Sequence, residues 1–343
     1  MHQLTELDIA DLSYNVRRKI NPNFIPLSSM PYKDTIPTYD EAFALNYLHN
    51  YAHRTFAEVK FILNDLSDYK LLQDFATLDK TRILDLGCGS GSGSLAVVDF
   101  LRNELKMKVP IYVYLADKSP HQLTVASKLH ELCGIKCTTK PREIDIFGAI
   151  FDYAKKIGRF DFVIISKALN EFICTTTTYK GKADAEKFLS SYVDNIFNRF
   201  MKNTGILIAA ETAEYNKKTT SFGDINLRRT FNKIIFNTEA SSYIILPRIC
   251  AARLSKPCGE TLKNCDWWRH EEIRFRNSSE DVKFMYYCFS KTKKEVRKKH
   301  GYVMYGGKRS PKSNRHGEQL VCSSKSFGYQ KIHPPKHFEE AAD

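Results

Sequence analysis

The sequence predicts an α/β fold built around an open, doubly wound sheet, and three observations predict it. Ile83, Leu84 and Leu86 make a short apolar strand that breaks at Gly87, Gly89 and Gly91. The chain then resumes with Leu95, Val98, Leu101 and Leu105 at helical spacing. Further apolar runs at residues 111–116, 160–166 and 206–210 recur between helical stretches, and Asp117 and Glu211 close the first and the last of them. Strands that alternate with helices predict a parallel sheet whose ligand lies at the carboxyl ends of the strands.

In chain order, residues 1–37 carry Pro22, Pro26, Pro31 and Pro37 with little periodicity. They read as an extended arm with room for one short helix. Thr38-Tyr39-Asp40-Glu41 has the pattern of a capping box. Behind it Leu45, Leu48, Ala52, Phe56, Val59, Leu63 and Leu66 space a long amphipathic helix, on which Tyr51-Ala52-His53-Arg54 reads as outer surface. Residues 137–147 occupy the place of a third strand without showing a clear one. Phe188, Tyr192, Ile196, Phe197 and Phe200 mark a helix that leads through Gly205 to the fifth strand. The expected organisation is an N-terminal arm and helical region (1–78), a nucleotide-type core (79–245), and a cysteine loop with closing strands and a basic extension (246–343).

The loop between the first strand and its helix carries the most specific chemistry. Glycine allows the close backbone approach and positive φ that a bound ligand demands there. Gly87-Cys88-Gly89-Ser90-Gly91-Ser92 lacks the glycine at its sixth position that a dinucleotide fingerprint requires. Asp85-x-Gly87-x-Gly89-x-Gly91 instead resembles the first motif of class I S-adenosylmethionine-dependent methyltransferases. Asp117, at the tip of the second strand, is the candidate acceptor for both ribose hydroxyls. The resemblance further implies that Asp145 and Ile146 lie where such enzymes hold the adenine. The fourth strand is followed by neither an Asn-Pro-Pro-Tyr motif nor a Pro-Cys nucleophile, and Cys174 is not placed for that role. The sequence therefore names no catalytic residue. Methyl transfer needs little beyond in-line approach to an activated nucleophile.

Charge points to a partner. The chain of 343 residues carries a net +13, with thirteen Lys or Arg against Glu295 and Glu318 between Lys291 and Lys336. Tyr302, Tyr305, Phe327 and Tyr329 interleave with this charge. That combination suits a phosphate backbone and unstacked bases. It speaks against a small-molecule acceptor. No run approaches the roughly 18 apolar residues of a membrane span. The first residues, with Glu6 and Asp8, resemble neither a signal nor a transit peptide. Nothing in the sequence points to a homo-oligomer.

Nine cysteines without a secretion signal favour reduced thiols or metal ligands over disulfides. Cys250, Cys258 and Cys265 share one loop with Pro257 and Gly259. Their spacing is not that of a zinc ribbon, and on spacing alone soft-metal ligands and structural thiols are equal alternatives. Tyr51-Ala52-x-Arg54, Leu84-Asp85-Leu86-Gly87, Asp161-Phe162-Val163-Ile164, Glu211, Gly223 before Arg228-Arg229, the cysteine loop, Lys283-Phe284-Met285-Tyr286-Tyr287 and Leu320-Val321-Cys322 extend the likeness. Over residues 51–336 the chain resembles the methyltransferase-like proteins of the mitochondrial small ribosomal subunit and their bacterial relatives. The resemblance implies a 4Fe-4S cluster on Cys250, Cys258, Cys265 and Cys322, with zinc as the alternative metal. It implies small-subunit rRNA and the small ribosomal subunit as partners, in the mitochondrial matrix or, alternatively, the cytoplasm. It also implies an S-adenosylmethionine-binding, rRNA-directed factor; the alternative is a non-catalytic assembly protein that keeps the fold. Thr212-Ala213 stands where that family has Pro-Gly.

Overall fold

A computed structural model describes residues 3–28, 39–213, 217–219, 222–247, 269–275 and 278–292. The chain divides into two compact units, residues 1–166 with 273–280, and residues 167–272 with 281–343.

In the first unit, strands β1 (Thr81–Leu86), β2 (Ile111–Asp117), β3 (Thr138–Glu143) and β4 (Phe160–Ser166) lie in the order β3-β2-β1-β4. All three pairings are parallel, and Leu86 sits opposite both Ala116 and Ile165, so β1, β2 and β4 reach their carboxyl ends in register. β1 and β4 are buried almost throughout, as expected of strands covered on both faces. β3 corrects the sequence reading. It pairs along its whole length with β2, yet its residues are exposed or half-buried. An edge strand of Thr, Lys, Pro, Arg and Glu has no apolar alternation to read.

The helices of this unit are α1 (Glu6–Ile20), α2 (Glu41–Asp68), α3 (Ser92–Asp99), α4 (Pro120–Leu132) and α5 (Ile150–Ile157). The first four pack against one another. α1 runs for 15 residues, longer than the one short helix expected within the N-terminal arm. Thr5 and Asp8 cap it reciprocally, and Ile9, Ala10, Ser13 and Val16 form its buried face. α2 keeps the predicted stripe, with Leu45, Leu48, Ala52, Phe56, Val59, Leu63 and Leu66 all fully buried. Its cap is Asp40 rather than Thr38, because the Asp40 Oδ1 accepts the Phe43 N–H at 2.8 Å. Ala52 and His53 are buried too, so only Tyr51 and Arg54 of that tetrad face outward. Asp99, fully buried at the end of α3, ties three segments together. It accepts the Leu4 N–H at 3.1 Å, the Lys60 ammonium at 3.1 Å and the Asn103 amide at 2.7 Å. These three donors satisfy the hydrogen-bonding capacity of its buried oxygens. A π-helical turn (Phe100–Glu104) continues the helix beyond it.

The second unit holds α6 (Ala168–Thr175), α7 (Lys182–Phe200), β5 (Met201–Thr212), β6 (Lys217–Thr219), β7 (Gly223–Ile225), α8 (Leu227–Phe236) and β8 (Ile244–Leu246). β9 (Arg269–Phe275) and β10 (Ser278–Phe289) are the last described strands. β10 runs antiparallel to both β5 and β8. The pairings that β10 makes in this unit are thus antiparallel, whereas those of β1 to β4 are parallel. Phe284 to Phe289 are buried, including Cys288. The Tyr287 hydroxyl, inside the core, donates to Asn232 Oδ1 at 2.6 Å, which satisfies its one polar group. Cys250, Cys258, Cys265, Cys322 and the basic run after Thr292 lie outside the described residues. Among the described residues no helix is long and apolar enough to cross a membrane.

Candidate cofactor site at the glycine loop

The loop after β1 is shaped by its own backbone. Gly87, Gly89 and Gly91 have φ of 66°, 51° and 73°, the left-handed region that side chains resist. The N–H groups of Gly87 and Cys88 both donate to the Ala116 carbonyl, at 2.8 and 3.1 Å, which pins the turn to the end of β2. Gly91 then caps α3, and its carbonyl accepts the Leu95 N–H at 3.0 Å. Here glycine is obligatory for a second reason: a Cβ on Gly91 would lie 2.8 Å from the Cβ of Ala126 on α4.

Asp117 joins this loop to the next one. Its Oδ2 accepts the Gly89 N–H at 3.0 Å, and its Oδ1 accepts the Ser119 N–H at 2.9 Å. A carboxylate can take about four hydrogen bonds, so with the Lys118 N–H also directed at it the carboxyl keeps acceptor capacity for a hydroxyl. Burial pushes the Asp117 carboxyl above its ordinary range, opposed by these two N–H groups and by Lys118. The Asp117 carbonyl also accepts the Ile144 N–H at 2.9 Å, which brings the segment after β3 alongside. There Asp145 is exposed and its Oδ1 accepts the Phe147 N–H at 3.0 Å, whereas Ile146 is buried. The structure thus gathers Asp85, the three glycines and Asp117, with Asp145 and Ile146 beside them.

Asp85 lies underneath rather than in the mouth of the loop. Its Oδ2 accepts the Ser94 N–H at 3.1 Å, and burial raises its pKa to about 7. Cys88 is equally unsuited to nucleophilic work, since burial and the nearby Asp117 and Asp85 carboxylates keep its thiol protonated. His130, on α4, braces the loop from below. Its Nε2 is 3.1 Å from the Gly91 carbonyl and 3.2 Å from Ser94 Oγ, and its Nδ1 is 3.7 Å from the Cys137 thiol. Burial lowers its pKa to about 4, so it acts as a neutral ring that donates from Nε2 and accepts at Nδ1.

Sequence reasoning missed His130 and Tyr47. Tyr47 belongs to a ring series at four-residue spacing, Tyr39–Phe43–Tyr47–Tyr51, with centroids 5.3, 6.1 and 5.1 Å apart. Its Cε1 lies 3.0 Å from where a Cβ of Gly89 would be. Lys118 sits 3.9 Å from the ring centre of Tyr39, whose carbonyl accepts the Ser119 hydroxyl. The four-residue aromatic repeat was the available signal, though it could not say which ring meets the loop. Among the described residues no group of three or more His, Cys, Asp or Glu side chains is arranged to hold a metal ion.

Asp85 makes a testable contribution to stability. A carboxyl whose pKa rises from 3.8 to about 7 on folding favours the folded state fully at low pH, and that contribution is lost as pH rises through about 7. Asp85→Asn should flatten the decline in stability between pH 5 and pH 8, seen as urea midpoints across that range. A variant with the wild-type slope would show that the carboxyl is already ionised.

Residues 77–264 match the family described as Methyltransferase domain. None of the curated proteins matches the chain. Among solved structures, the chain is similar to a class I S-adenosylmethionine-dependent methyltransferase from Listeria monocytogenes (12% identity, 84% of this chain and 70% of that one, TM-score 0.36). It is also similar to a methyltransferase from Agrobacterium tumefaciens (10% identity, 66% and 61%, TM-score 0.36). A third is a precorrin 8W decarboxylase from Methanobacterium thermoautotrophicum (16% identity, 62% and 82%, TM-score 0.32). With more than half of its length matched and a glycine loop of this geometry, the chain belongs to the methyltransferase domain family, with the class I α/β fold.

Proposed function

We propose that the protein binds S-adenosylmethionine at the loop of Gly87, Gly89 and Gly91 and directs it to small-subunit rRNA during ribosome assembly. The observation that carries the donor assignment is Asp117, clamped by the N–H groups of Gly89 and Ser119 and left with acceptor capacity for a ribose hydroxyl. Bound there, the donor would supply an electrophilic methyl on its sulfonium. The chain would contribute orientation: the glycine turn offers backbone close to the ligand, Asp117 fixes the ribose, and Asp145 and Ile146 flank the adenine. RNA as the acceptor is supported by the net charge of +13 and its concentration after Lys291. The assignment to the small ribosomal subunit, and to the mitochondrial matrix, rests on the likeness of the quoted motifs. We place a 4Fe-4S cluster, or zinc in its stead, on Cys250, Cys258, Cys265 and Cys322, the set implied by the same likeness. A thiolate-only set suits either metal.

Asp117→Ala should weaken S-adenosylmethionine by about 1.5–3 kcal/mol, the range for a charged hydrogen-bond partner, in titration calorimetry. Unchanged affinity would move the ribose contact elsewhere. Joint replacement of Lys293, Lys294, Arg297, Lys298 and Lys299 should weaken single-stranded RNA and flatten its salt dependence. The expected loss is up to about 0.7 in log–log slope per phosphate contact. A slope equal to wild type would assign this run to the solvated surface. Cys322→Ser should empty the metal centre, read as iron, sulfide and zinc content of anaerobically purified protein. Full metal content in that variant would exclude Cys322 as a ligand.

A further inference from the structure

One face of the sheet in the first unit gathers cations that no carboxylate answers. Thr138, Lys140 and Arg142 alternate onto one side of β3, whereas Glu143 falls on the other. The register sets Lys140 beside Tyr114 and Thr138 beside Tyr112, which in turn lies opposite Arg82 of β1. Lys140 Nζ stands 5.0 Å from the ring centre of Tyr112 and 5.1 Å from that of Tyr114. The Tyr114 hydroxyl accepts from Lys140 Nζ at 3.3 Å and from Arg82 Nη2 at 3.2 Å, so the two nitrogens lie no more than 6.5 Å apart. A phenol oxygen satisfies their hydrogen bonds without neutralising their charge. Burial raises the Tyr114 hydroxyl, yet Arg82 and Lys140 together hold it below its ordinary pKa. Arg82 also donates to the Ile157 and Arg159 carbonyls, and Asp161 accepts its backbone N–H rather than its guanidinium. Arg142 donates to the Tyr153 hydroxyl at 2.6 Å and the Pro141 carbonyl at 3.0 Å. Among the described residues, none of Arg82, Lys140 and Arg142 forms an ion pair.

We propose that this face binds single-stranded RNA, with phosphates on Lys140 and Arg142 and bases against Tyr112 and Tyr153. A strand rise of roughly 3.3 Å per residue sets Lys140 and Arg142 about 6.6 Å apart, two separate charges along one track. Lys140 has committed one of its three N–H donors and Arg142 two of its five. Each can still give a phosphate oxygen a charge-assisted hydrogen bond of about 2.8 Å. Lys140 is half-buried and Arg142 exposed, and Tyr112 and Tyr153 are half-buried, so all four reach solvent. Cations interleaved with aromatic rings suit a single strand, whose phosphates take the charge and whose bases take the rings. An acidic peptide would use the charge alone. On α5, which meets this face through Tyr153, Lys155 and Lys156 add exposed positive charge against one acid, Asp152. The inference rests on the RNA-directed reading above and goes beyond it, since it names a surface for RNA outside the basic stretch that follows Lys291.

The test measures binding of a fluorescent U12 RNA to the full-length protein by anisotropy across a salt series. Lys140→Gln combined with Arg142→Gln should weaken U12 and lower the log–log salt slope by up to about 1.4, two phosphate contacts at about 0.7 each. Circular dichroism of that variant should match wild type, because both side chains stand on an edge strand. A second measurement needs no variant: U12 carrying 5-iodouridine, photolysed on wild type and mapped by mass spectrometry, should crosslink at Tyr112 or Tyr153. A wild-type slope in the double variant, or crosslinks confined to residues outside this face, would overturn the proposal. So would displacement of U12 by polyglutamate of equal charge as readily as by unlabelled U12, which would assign the face to an acidic protein segment. If replacement of Lys293 to Lys299 alone removes U12 binding and the double variant binds as wild type, this face fails and the RNA-directed reading stands. Wild type that binds no RNA would overturn both.

Discussion

The carboxylate of Asp117 is the constraint on which the cofactor site depends. One residue at the end of β2 receives the N–H of Gly89 from the loop before it and the N–H of Ser119 from the cap of the helix after it. Two loops that diverge from neighbouring strands are thereby fixed at hydrogen-bond distance from one carboxyl. Ser119 extends the arrangement outward: its hydroxyl receives the Gln122 N–H as the cap of α4 and donates to the Tyr39 carbonyl at the foot of α2. The ring series on α2, with Tyr47 over Gly89, is set in place through that contact. A loop fixed in this way would spend less on ordering when a ligand binds.

A common physical device recurs at the strand ends. Asp85, Asp117 and Glu211 are all buried, and all have their carboxyls raised by burial rather than lowered by a cation. Each accepts backbone N–H groups, Ser94 for Asp85, Gly89 and Ser119 for Asp117, Leu169 and Asn170 for Glu211, and the Ser94 side chain adds a further hydrogen bond to Asp85. Backbone donors cannot dissociate, so these acids are positioned without a mobile partner. The contrast with a chain that carries +13 overall is informative. In the sequence, thirteen Lys or Arg against two Glu fall between Lys291 and Lys336, a stretch suited to meeting phosphate.

Much of this was legible in the sequence, and the reasons for the rest are physical. The apolar runs of β1, β2, β4 and β5 and the stripe on α2 were readable because burial on both faces or on one face leaves a periodic trace. Asp85, the glycines and Asp117 were readable because a tight loop before a helix restricts residue type. β3 was not, since an edge strand carries polar residues. The length of α1 was not legible because its five buried residues, Ile9, Ala10, Ser13, Val16 and Arg17, include only three apolar ones among many charges, and its reciprocal cap uses Asp8 in place of the usual Glu. Nor could the sequence show that Glu211 caps α6, a contact between residues far apart in the chain. His130 under the loop likewise depends on how α4 is rotated. The apolar antiparallel strand β10 was visible as a strand, but its direction was not.

On the function proposed above, the glycine loop takes a methyl donor rather than a dinucleotide. Titration calorimetry of the wild-type protein with S-adenosylmethionine and, separately, with NAD tests it most directly. S-adenosylmethionine should bind saturably, and NAD should not bind at the same concentrations. Binding of NAD in preference to S-adenosylmethionine, or binding of neither, would contradict it.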